Sequence, residues 1–494
     1  MRTAIAMTAG LLLASAFGLG PLGELAQRAG DVVWDDTATK PGDPESQPSS
    51  QPESQPASQP ASQPASQPTT TAAAESQPAS DEATSKPAEP EDQYFALVGG
   101  IVHTIAGQDL RGATILARNG RIIDIGHRVE IPDDAETLDV KGYHVYPGLV
   151  ACEARGIVGS NPPEDSTNVF GTILRLANAG GITTVFTRDT AAKASYGNIE
   201  NIPLRSGLFE SLRVNGASQK RNLREKLEQA RDYLRKMEAY ERAKADGDED
   251  AEKPEDPKGL EQAMALIRKQ RVAYIRANEK NDLIFIADLA TEFGIQVVVN
   301  GASEGWAVAD RLGRAGVRVI VTPRRQSGAD PRVNQPSGNN IENASILYQH
   351  GVDLAITSPS TGISLVGLAG ADMQHLPMEA AFAVRGGLPE SAAIKSITLG
   401  AARVLGIEDR VGSIEVGKDA DFIVTDGPLL DFYTMVQWTI VNGDVVYDKE
   451  DESLFAHIRP RTPAPTTQPA SYKFWPRPFR HQPPPEPGAS SRRP

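Results

Sequence analysis

The chain has 494 residues, of which 39% are hydrophobic and 23% are charged, and its formal net charge is −14. Phosphate binding needs a clustered cationic surface, so this acidic chain is not expected to have nucleic acid as a partner. The single cysteine, Cys152, excludes an intramolecular disulfide and neither supports nor excludes an oxidising compartment.

The N-terminal segment has the composition of an export signal. Met1-Arg2 is followed by the apolar run AIAMTAGLLLASAFGLG, with an Ala-x-Ala-like site at Ala14-Ser15-Ala16. We therefore predict a signal peptide over residues 1–30 and a location in the periplasm or cell envelope. An uncleaved anchor is the alternative, because the run is near the lower length limit for spanning a bilayer. Apart from this segment, no transmembrane segment is predicted.

Two further segments have compositions typical of disorder. Residues 36–92 include the repeat SQPASQPASQPASQP, which has almost no apolar side chains to bury. Residues 459–494 are rich in proline. We predict a disordered Ser/Gln/Pro-rich linker in the first and a disordered tail in the second, which leaves one large domain and a small companion between them.

The two ends of the remaining region are rich in β-forming residues. Residues 94–147 and 411–450 contain short apolar runs, and each block carries an Asn-Gly pair, Asn119-Gly120 and Asn442-Gly443. Asn-Gly between two such runs indicates a hairpin with a type I′ turn. The two blocks are predicted to form one small β-sandwich domain built from both ends of the folded region.

Residues 148–410 alternate Val- and Ile-rich runs with amphipathic patterns. Continuous apolar runs are typical of parallel strands buried on both faces, and the amphipathic segments supply the crossovers. The length is close to the roughly 250 residues of a (β/α)8 barrel. A charged helical insertion at 219–258 carries a narrow apolar stripe, which favours packing on the barrel surface over pairing with a partner helix.

Several motifs resemble the amidohydrolase superfamily, in its imidazolonepropionase-like and dipeptidase-like branch. They are YPGLV, GITTVFTRD, ADRLGRAGVRVIV, and above all GKDADFIV followed by VNGDVVY. The resemblance implies an α/β fold, a distorted (β/α)8 TIM-like barrel plus a small β-sandwich domain. It also implies metal-dependent hydrolysis of amide-like C–N bonds, with zinc or another divalent metal activating water in an active member.

The positions that correspond to the family's metal ligands carry other residues. The resemblance places a His-x-His pair after the first strand, further histidines at later strand ends and an aspartate on the last strand. These places are occupied here by Glu153, Arg155, Arg276, Asn278, Asn300 and Ser358. Arginine and asparagine are poor ligands, and a lone carboxylate does not hold a transition metal tightly. We therefore predict no metal and no other cofactor.

The seven histidines do not replace the missing ligands. His103, His127 and His144 fall in the predicted β domain, and His457 and His481 fall in or near the tail. His350 and His375, in the barrel region, are interpreted with the others as surface or capping residues. Cys152 is interpreted as a buried structural cysteine that faces the helices around the barrel, because Glu153 beside it faces the mouth.

Three interpretations of the substituted pocket remain open. Glu153, Arg155 and Arg276 form an internal ion-pair plug, or they form an anion pocket with bidentate Arg contacts, or they support an unrecognised catalysis. Ser358 has no positioned histidine to activate it.

The predicted function is an exported, non-catalytic member of the superfamily. It binds a small anionic ligand, or it pairs with itself or with an active relative. The alternatives are an active hydrolase of cyclic amides or short peptides with an atypical metal site, and a cell-envelope interaction protein that uses the charged helix.

Overall fold

The computed structural model describes residues 92–450, apart from residues 161, 199–201, 333 and 366–371. The predicted signal peptide, the tail and all but the last residue of the linker lie outside this range. Within it, no helix combines the length and the apolar character needed to cross a membrane.

The strands are β1 (Tyr94–Val102), β2 (Leu110–Arg118), β3 (Arg121–Gly126), β4 (Glu136–Asp139), β5 (His144–Pro147), β6 (Leu149–Ala151), β7 (Ile182–Thr187), β8 (Thr190–Lys193), β9 (Pro203–Ser206), β10 (Phe209–Leu212), β11 (Val272–Ala277), β12 (Val297–Gly301), β13 (Arg318–Val321), β14 (Leu354–Ile356), β15 (Phe422–Thr425), β16 (Val436–Val441) and β17 (Asp444–Asp448). The helices are α1 (Pro163–Ser166), α2 (Thr172–Ala179), α3 (Ala217–Ala245), α4 (Glu261–Ile267), α5 (Lys280–Phe293), α6 (Ala309–Arg314), α7 (Asn343–Gln349), α8 (Leu376–Arg385), α9 (Glu390–Ser396) and α10 (Leu399–Leu405), with short 3-10 turns at Gly305–Ala307 and Met373–His375.

The two terminal β blocks form one sheet, as predicted. Its order is β17-β16-β15-β5-β1-β2-β3, with β4 paired to β1. β15 pairs antiparallel with β5, so the C-terminal block adds directly to the N-terminal one. Both hairpin predictions are confirmed, because β2 pairs antiparallel with β3 and β16 pairs antiparallel with β17. Asn119 and Asn442 have φ values of 51° and 52°, and each is followed by a glycine with positive φ.

The central region has the predicted α/β architecture. β10, β11, β12, β13 and β14 form a parallel sheet in chain order, with helices in the crossovers between β11 and β14. β6 pairs in parallel with β7. β7 pairs antiparallel with β8, and β8 pairs antiparallel with β9. Among the described strands, these two sheets are not joined into one continuous ring, so the barrel is more open than the regular (β/α)8 pattern predicted.

The strands β11, β12, β13 and β14 are buried on both faces along most of their length. One face packs against the outer helices and includes Ala273 and Ile275 of β11. The opposite face includes Val272 and Tyr274, and it packs against the small side chains of α10. Two buried faces explain the continuous apolar runs in the sequence, because neither side of these strands meets water.

The orientation predicted for Cys152 is wrong. Cys152 is fully buried, but it lies with Val150 and Tyr274 on the face that packs against α10, and its Sγ is 3.8 Å from the Ala401 carbonyl oxygen. The strand β6 ends at Ala151, so the strict alternation used for the prediction does not extend to Glu153. Burial raises the pKa of the Cys152 thiol well above its usual range, which makes it a poor nucleophile.

The charged insertion forms the long helix α3, which packs on the barrel surface. Its buried residues Leu227 and Ala230 belong to the same core cluster as the outer helices. Lys220 lies 2.6 Å from Asp282 of α5, and Arg231 stacks over the Phe293 ring. The interpretation as a surface-packed helix therefore fits the contacts of its N-terminal half.

Candidate functional site

The residues that replace the expected ligands lie at the carboxyl ends of the barrel strands, where such barrels place their sites. Glu153 and Arg155 follow β6 in a loop that is fixed by its backbone. The Ala154 N–H donates to the Phe186 carbonyl oxygen at 2.8 Å, and the Arg155 N–H donates to the Thr361 carbonyl oxygen at 2.6 Å. The loop is thus held between the segments that follow β14 and the end of β7.

Three of the predicted residues converge on the Glu153 carboxylate. Arg276 and Asn300 are direct neighbours in the parallel register of β11 and β12, so their side chains leave the sheet on the same face. The Arg276 guanidinium forms an ion pair with Glu153 Oε1, and Asn300 Nδ2 donates to Oε2. Arg155 Nη2 lies farther away, 3.9 Å from Oε1. We call these four residues the mouth cluster.

Charge and exposure are unequal within the mouth cluster. The Glu153 side chain is 15% exposed, whereas those of Arg276 and Arg155 are 58% and 67% exposed. Two guanidinium groups face one carboxylate, which leaves the cluster with a net charge of about +1 at neutral pH. Glu153 is therefore satisfied from within the protein, while the outer faces of both arginines are in contact with solvent.

Tyr274 contacts the mouth cluster through Asn300 and was not predicted. Its hydroxyl accepts a hydrogen bond of 2.7 Å from Asn300 Nδ2, and the residue is 8% exposed. Burial raises the pKa of the Tyr274 phenol above its usual range, so the phenol stays neutral. A signal for it was present, because Tyr274 is two residues before Arg276 on one strand and therefore shares its face.

The other two candidates lie nearby with different partners. Asn278 Oδ1 accepts a hydrogen bond of 2.9 Å from the Ser303 hydroxyl. Ser358 donates to the Ser360 carbonyl oxygen and lies 3.6 Å from Met373 Sδ. Both residues thus help to fix the loops at the mouth and do not contact Glu153 directly.

The histidines have local structural partners. His350 caps the C-terminus of α7, as predicted, and His375 lies 2.9 Å from Asp372. The expectation of a surface or capping role is wrong for His103, which is stacked on Tyr146 and connects Asp109 to His144 at 2.7 and 2.9 Å. Across residues 92–450, apart from the gaps named above, no group of three or more His, Cys, Asp or Glu side chains is arranged to hold a metal ion.

Comparison with known proteins places these observations in a family. Residues 162–454 match the model of the amidohydrolase family. A segment of 174 residues is 26% identical to "Amidohydrolase tasK" of Hapsidospora irregularis, and one of 66 residues is 44% identical to an imidazolonepropionase of Phocaeicola vulgatus. These segments make up 34% and 12% of this chain and span only 16% of each relative.

The fold is also similar to that of a solved structure, an amidohydrolase from Thermotoga maritima. The TM-score is 0.53 at 24% sequence identity, and the alignment covers 72% of this chain and all of the other. At this level of identity the similarity supports the predicted α/β barrel with its β domain, and the chemistry has to be argued from the site.

Proposed function

Since this chain belongs to the amidohydrolase family, with more than half of its length matched, we propose that it is a non-catalytic member that binds a small carboxylate-bearing ligand. The ligand site is the mouth cluster, at the place where hydrolytic members of the family bind metal. The observation that carries the proposal is the pairing of Glu153 with Arg276 and Asn300, which leaves two solvent-facing guanidinium groups around one satisfied carboxylate.

The residues present do not fit a divalent metal. A metal site needs several deprotonated donors that point to one centre. In the mouth cluster, the Glu153 carboxylate is already bonded on both oxygens, and Arg276 brings a permanent positive charge into contact with it. A cation placed beside Glu153 would meet repulsion from both arginines. No step of a metal-dependent reaction is therefore assigned to these side chains.

The same features suit an anion. Arg155 and Arg276 each present a planar fork of donors, and such forks bind carboxylates in a bidentate manner. Arg155 is the less committed of the two, because its nearest acceptor on Glu153 is 3.9 Å away. The competing interpretation, an ion-pair plug with no ligand, predicts the same internal contacts and differs only in the response to added anions.

Substitution of Glu153 separates the two interpretations. Glu153→Gln removes the negative charge with little change of shape and raises the net charge of the cluster from about +1 to about +2. If the cluster is an anion site, this variant binds succinate more tightly than the wild type, and Arg155→Met and Arg276→Met bind it more weakly. If the cluster is a plug, Glu153→Gln loses stability and gains no affinity.

The experiment is titration calorimetry of the full chain with succinate, with succinamide as the neutral control. Binding of succinate that weakens with salt and is lost in Arg155→Met supports the proposal. Equal heats for both compounds contradict it. In parallel, the metal content after exposure to zinc or manganese is measured by mass spectrometry. A stoichiometric metal with chelator-sensitive turnover of cyclic amides or short peptides would replace the proposal with an active hydrolase.

We also propose that the chain is exported, on the basis of residues 1–30, which lie outside the described residues. As a ligand-binding member, the chain would pair with a second copy of itself or with an active relative. Fractionation of cells that express the tagged chain tests the location, and recovery in the cytoplasm alone contradicts it.

A further inference from the structure

A fully buried lysine lies where the barrel meets the β domain. Lys193 is the last residue of β8, and its side chain has no exposed surface. Its Nζ contacts Asp421 Oδ2 and lies 2.9 Å from Asp419 Oδ2. The two aspartates are 3% and 2% exposed and belong to the GKDADFIV motif.

The three groups are held in place by the surrounding backbone. The Ala420 N–H donates to the Gly120 carbonyl oxygen at 2.8 Å, and the Gly148 N–H donates to the Asp421 carbonyl oxygen at 3.0 Å. On the lysine side, the Lys193 N–H donates to the Ile202 carbonyl oxygen at 2.6 Å. The main chain is therefore fixed on both sides, and the lysine and the aspartates meet in a buried interface.

The two oxygens of Asp421 have different surroundings. Oδ1 accepts a hydrogen bond of 2.9 Å from the Asn442 backbone N–H, whereas Oδ2 faces the lysine nitrogen. A backbone donor on Oδ1 polarises the Cγ–Oδ1 bond and stabilises negative charge that develops on this oxygen. The carboxyl carbon of Asp421 is thus presented to an amine with one oxygen activated and the other in the position of a leaving group.

Asp419 is a second carboxyl group beside the lysine nitrogen. Its Oδ2 lies 2.8 Å from Arg410 Nη2 and 2.9 Å from Lys193 Nζ, and the lysine contact is an ion pair without the alignment of a hydrogen bond. Burial, opposed by Lys193 and reinforced by Asp419, raises the pKa of Asp421. Burial disfavours the charged form of a carboxyl group, so the shift at Asp421 is towards the protonated acid.

We propose that Lys193 and Asp421 form an intramolecular isopeptide bond, with Asp419 as the group that transfers the proton. Lys193 Nζ, as the free amine, attacks Cγ of the protonated Asp421. Asp419 accepts a proton from the nitrogen and delivers it to the departing Oδ2. The Nζ–Cγ bond forms, the Cγ–Oδ2 bond breaks, and one water molecule leaves. No oxidant or other reactant is needed.

The consequence is a covalent connection between the barrel and the β domain in a chain that has no disulfide. It closes a long loop of the chain between Lys193 and Asp421, which restricts the unfolded state in the way that a cross-link does. This inference is independent of the function proposed for the mouth cluster.

The test is peptide mapping of the full, denatured chain by mass spectrometry after digestion with trypsin. The expected result is one branched product that joins the Lys193 and Asp421 peptides, lighter by one water than the two together, with no cleavage after Lys193. Recovery of the two peptides as separate, unmodified products overturns the proposal and leaves a non-covalent ion cluster.

Variants assign the roles. Asp419→Ala is expected to give separate peptides in a chain that keeps the circular dichroism of the wild type, and a linked product in this variant contradicts the proton-transfer role. Lys418→Arg is the matched control, since it removes a neighbouring lysine whose partners are Ser413 and Glu415, and its product stays linked. In denaturing gels, Lys193→Met is expected to migrate more slowly than the wild type. If a variant does not fold, the map of the wild-type chain alone decides the question.

Discussion

Replacement of Asn300 by leucine tests the geometry of the mouth cluster. The amide Nδ2 donates both to Glu153 Oε2 and to the Tyr274 hydroxyl, the latter at 2.7 Å. Leucine keeps the size of the side chain and removes both donated bonds. The Tyr274 hydroxyl then lies unpaired in a buried site, which costs about 1–3 kcal/mol. Glu153 retains Arg276 and some access to water, so the loss of its hydrogen bond from Asn300 costs about 1 kcal/mol.

We therefore expect Asn300→Leu to lower the free energy of unfolding by about 2–4 kcal/mol. The contribution of the tyrosine is separated by a double-mutant cycle with Tyr274→Phe. In the wild type, Tyr274→Phe costs about 1 kcal/mol, because one hydrogen bond is lost. In the Asn300→Leu background, the same change removes the unpaired hydroxyl and recovers about 1–3 kcal/mol. The expected coupling is about 2–4 kcal/mol.

The assay is urea unfolding of the full chain, followed by circular dichroism and by fluorescence of its four tryptophans. Asn334→Leu, at an exposed position, is the control and is expected to change stability by no more than about 0.5 kcal/mol. Additive effects of Asn300→Leu and Tyr274→Phe within about 0.5 kcal/mol would refute the hydrogen-bonded chain. So would a loss below about 1 kcal/mol in Asn300→Leu alone.

Two further predictions concern ionisable side chains that are buried or half-buried away from the mouth cluster. Burial lowers the pKa of His103 and of His144, so both rings are neutral in the folded chain and bind protons more readily when it unfolds. Their contribution to the free energy of unfolding is therefore complete above about pH 6.5 and is lost as the pH falls through the folded pKa. In thermal melts at acid pH, the melting temperature of the double variant His103→Gln/His144→Gln should fall less steeply with pH than that of the wild type. In urea unfolding, Arg324→Met should destabilise the chain by about 3–5 kcal/mol, because it leaves the fully buried Glu379 without its Arg324 partner. The double variant Arg324→Met/Glu379→Leu should recover most of this loss. Equal losses in the single and the double variant would contradict the ion-pair explanation.

The fold was predictable from local signals wherever those signals are strong. The Asn-Gly pairs at 119 and 442 identify their hairpins because few other dipeptides tolerate positive φ at both turn positions. The glycine of YPGLV has an equally direct cause, since a Cβ on Gly148 would lie 2.0 Å from the Thr183 hydroxyl oxygen. The openness of the barrel was not predictable, because strand pairing between distant segments leaves no mark on either sequence.

The mouth cluster was predicted in part for a related reason. The resemblance to the amidohydrolase superfamily identified Glu153, Arg155, Arg276 and Asn300, because it indicates which positions follow the barrel strands. Tyr274 was missed because an aromatic residue inside an apolar strand is normally part of the core, and only the neighbouring Asn300 amide gives its hydroxyl a role. The orientation of Cys152 was wrong because alternation was extended past the end of a three-residue strand.

Lys193 shows the limit of sequence reasoning most clearly. In TTVFTRDTAAKASY it is an ordinary lysine, and the motif that contains Asp419 and Asp421 is more than two hundred positions away. The charges balance only in space: Lys193 and Arg410 against Asp419 and Asp421. A lysine with no exposed surface is stable there only if it is paired, neutral or covalently bound. Only the covalent state gives a linked product on digestion of the denatured chain, whereas a paired or a neutral lysine gives separate peptides. The peptide map therefore identifies a covalent bond at this interface directly, which a stability measurement does not.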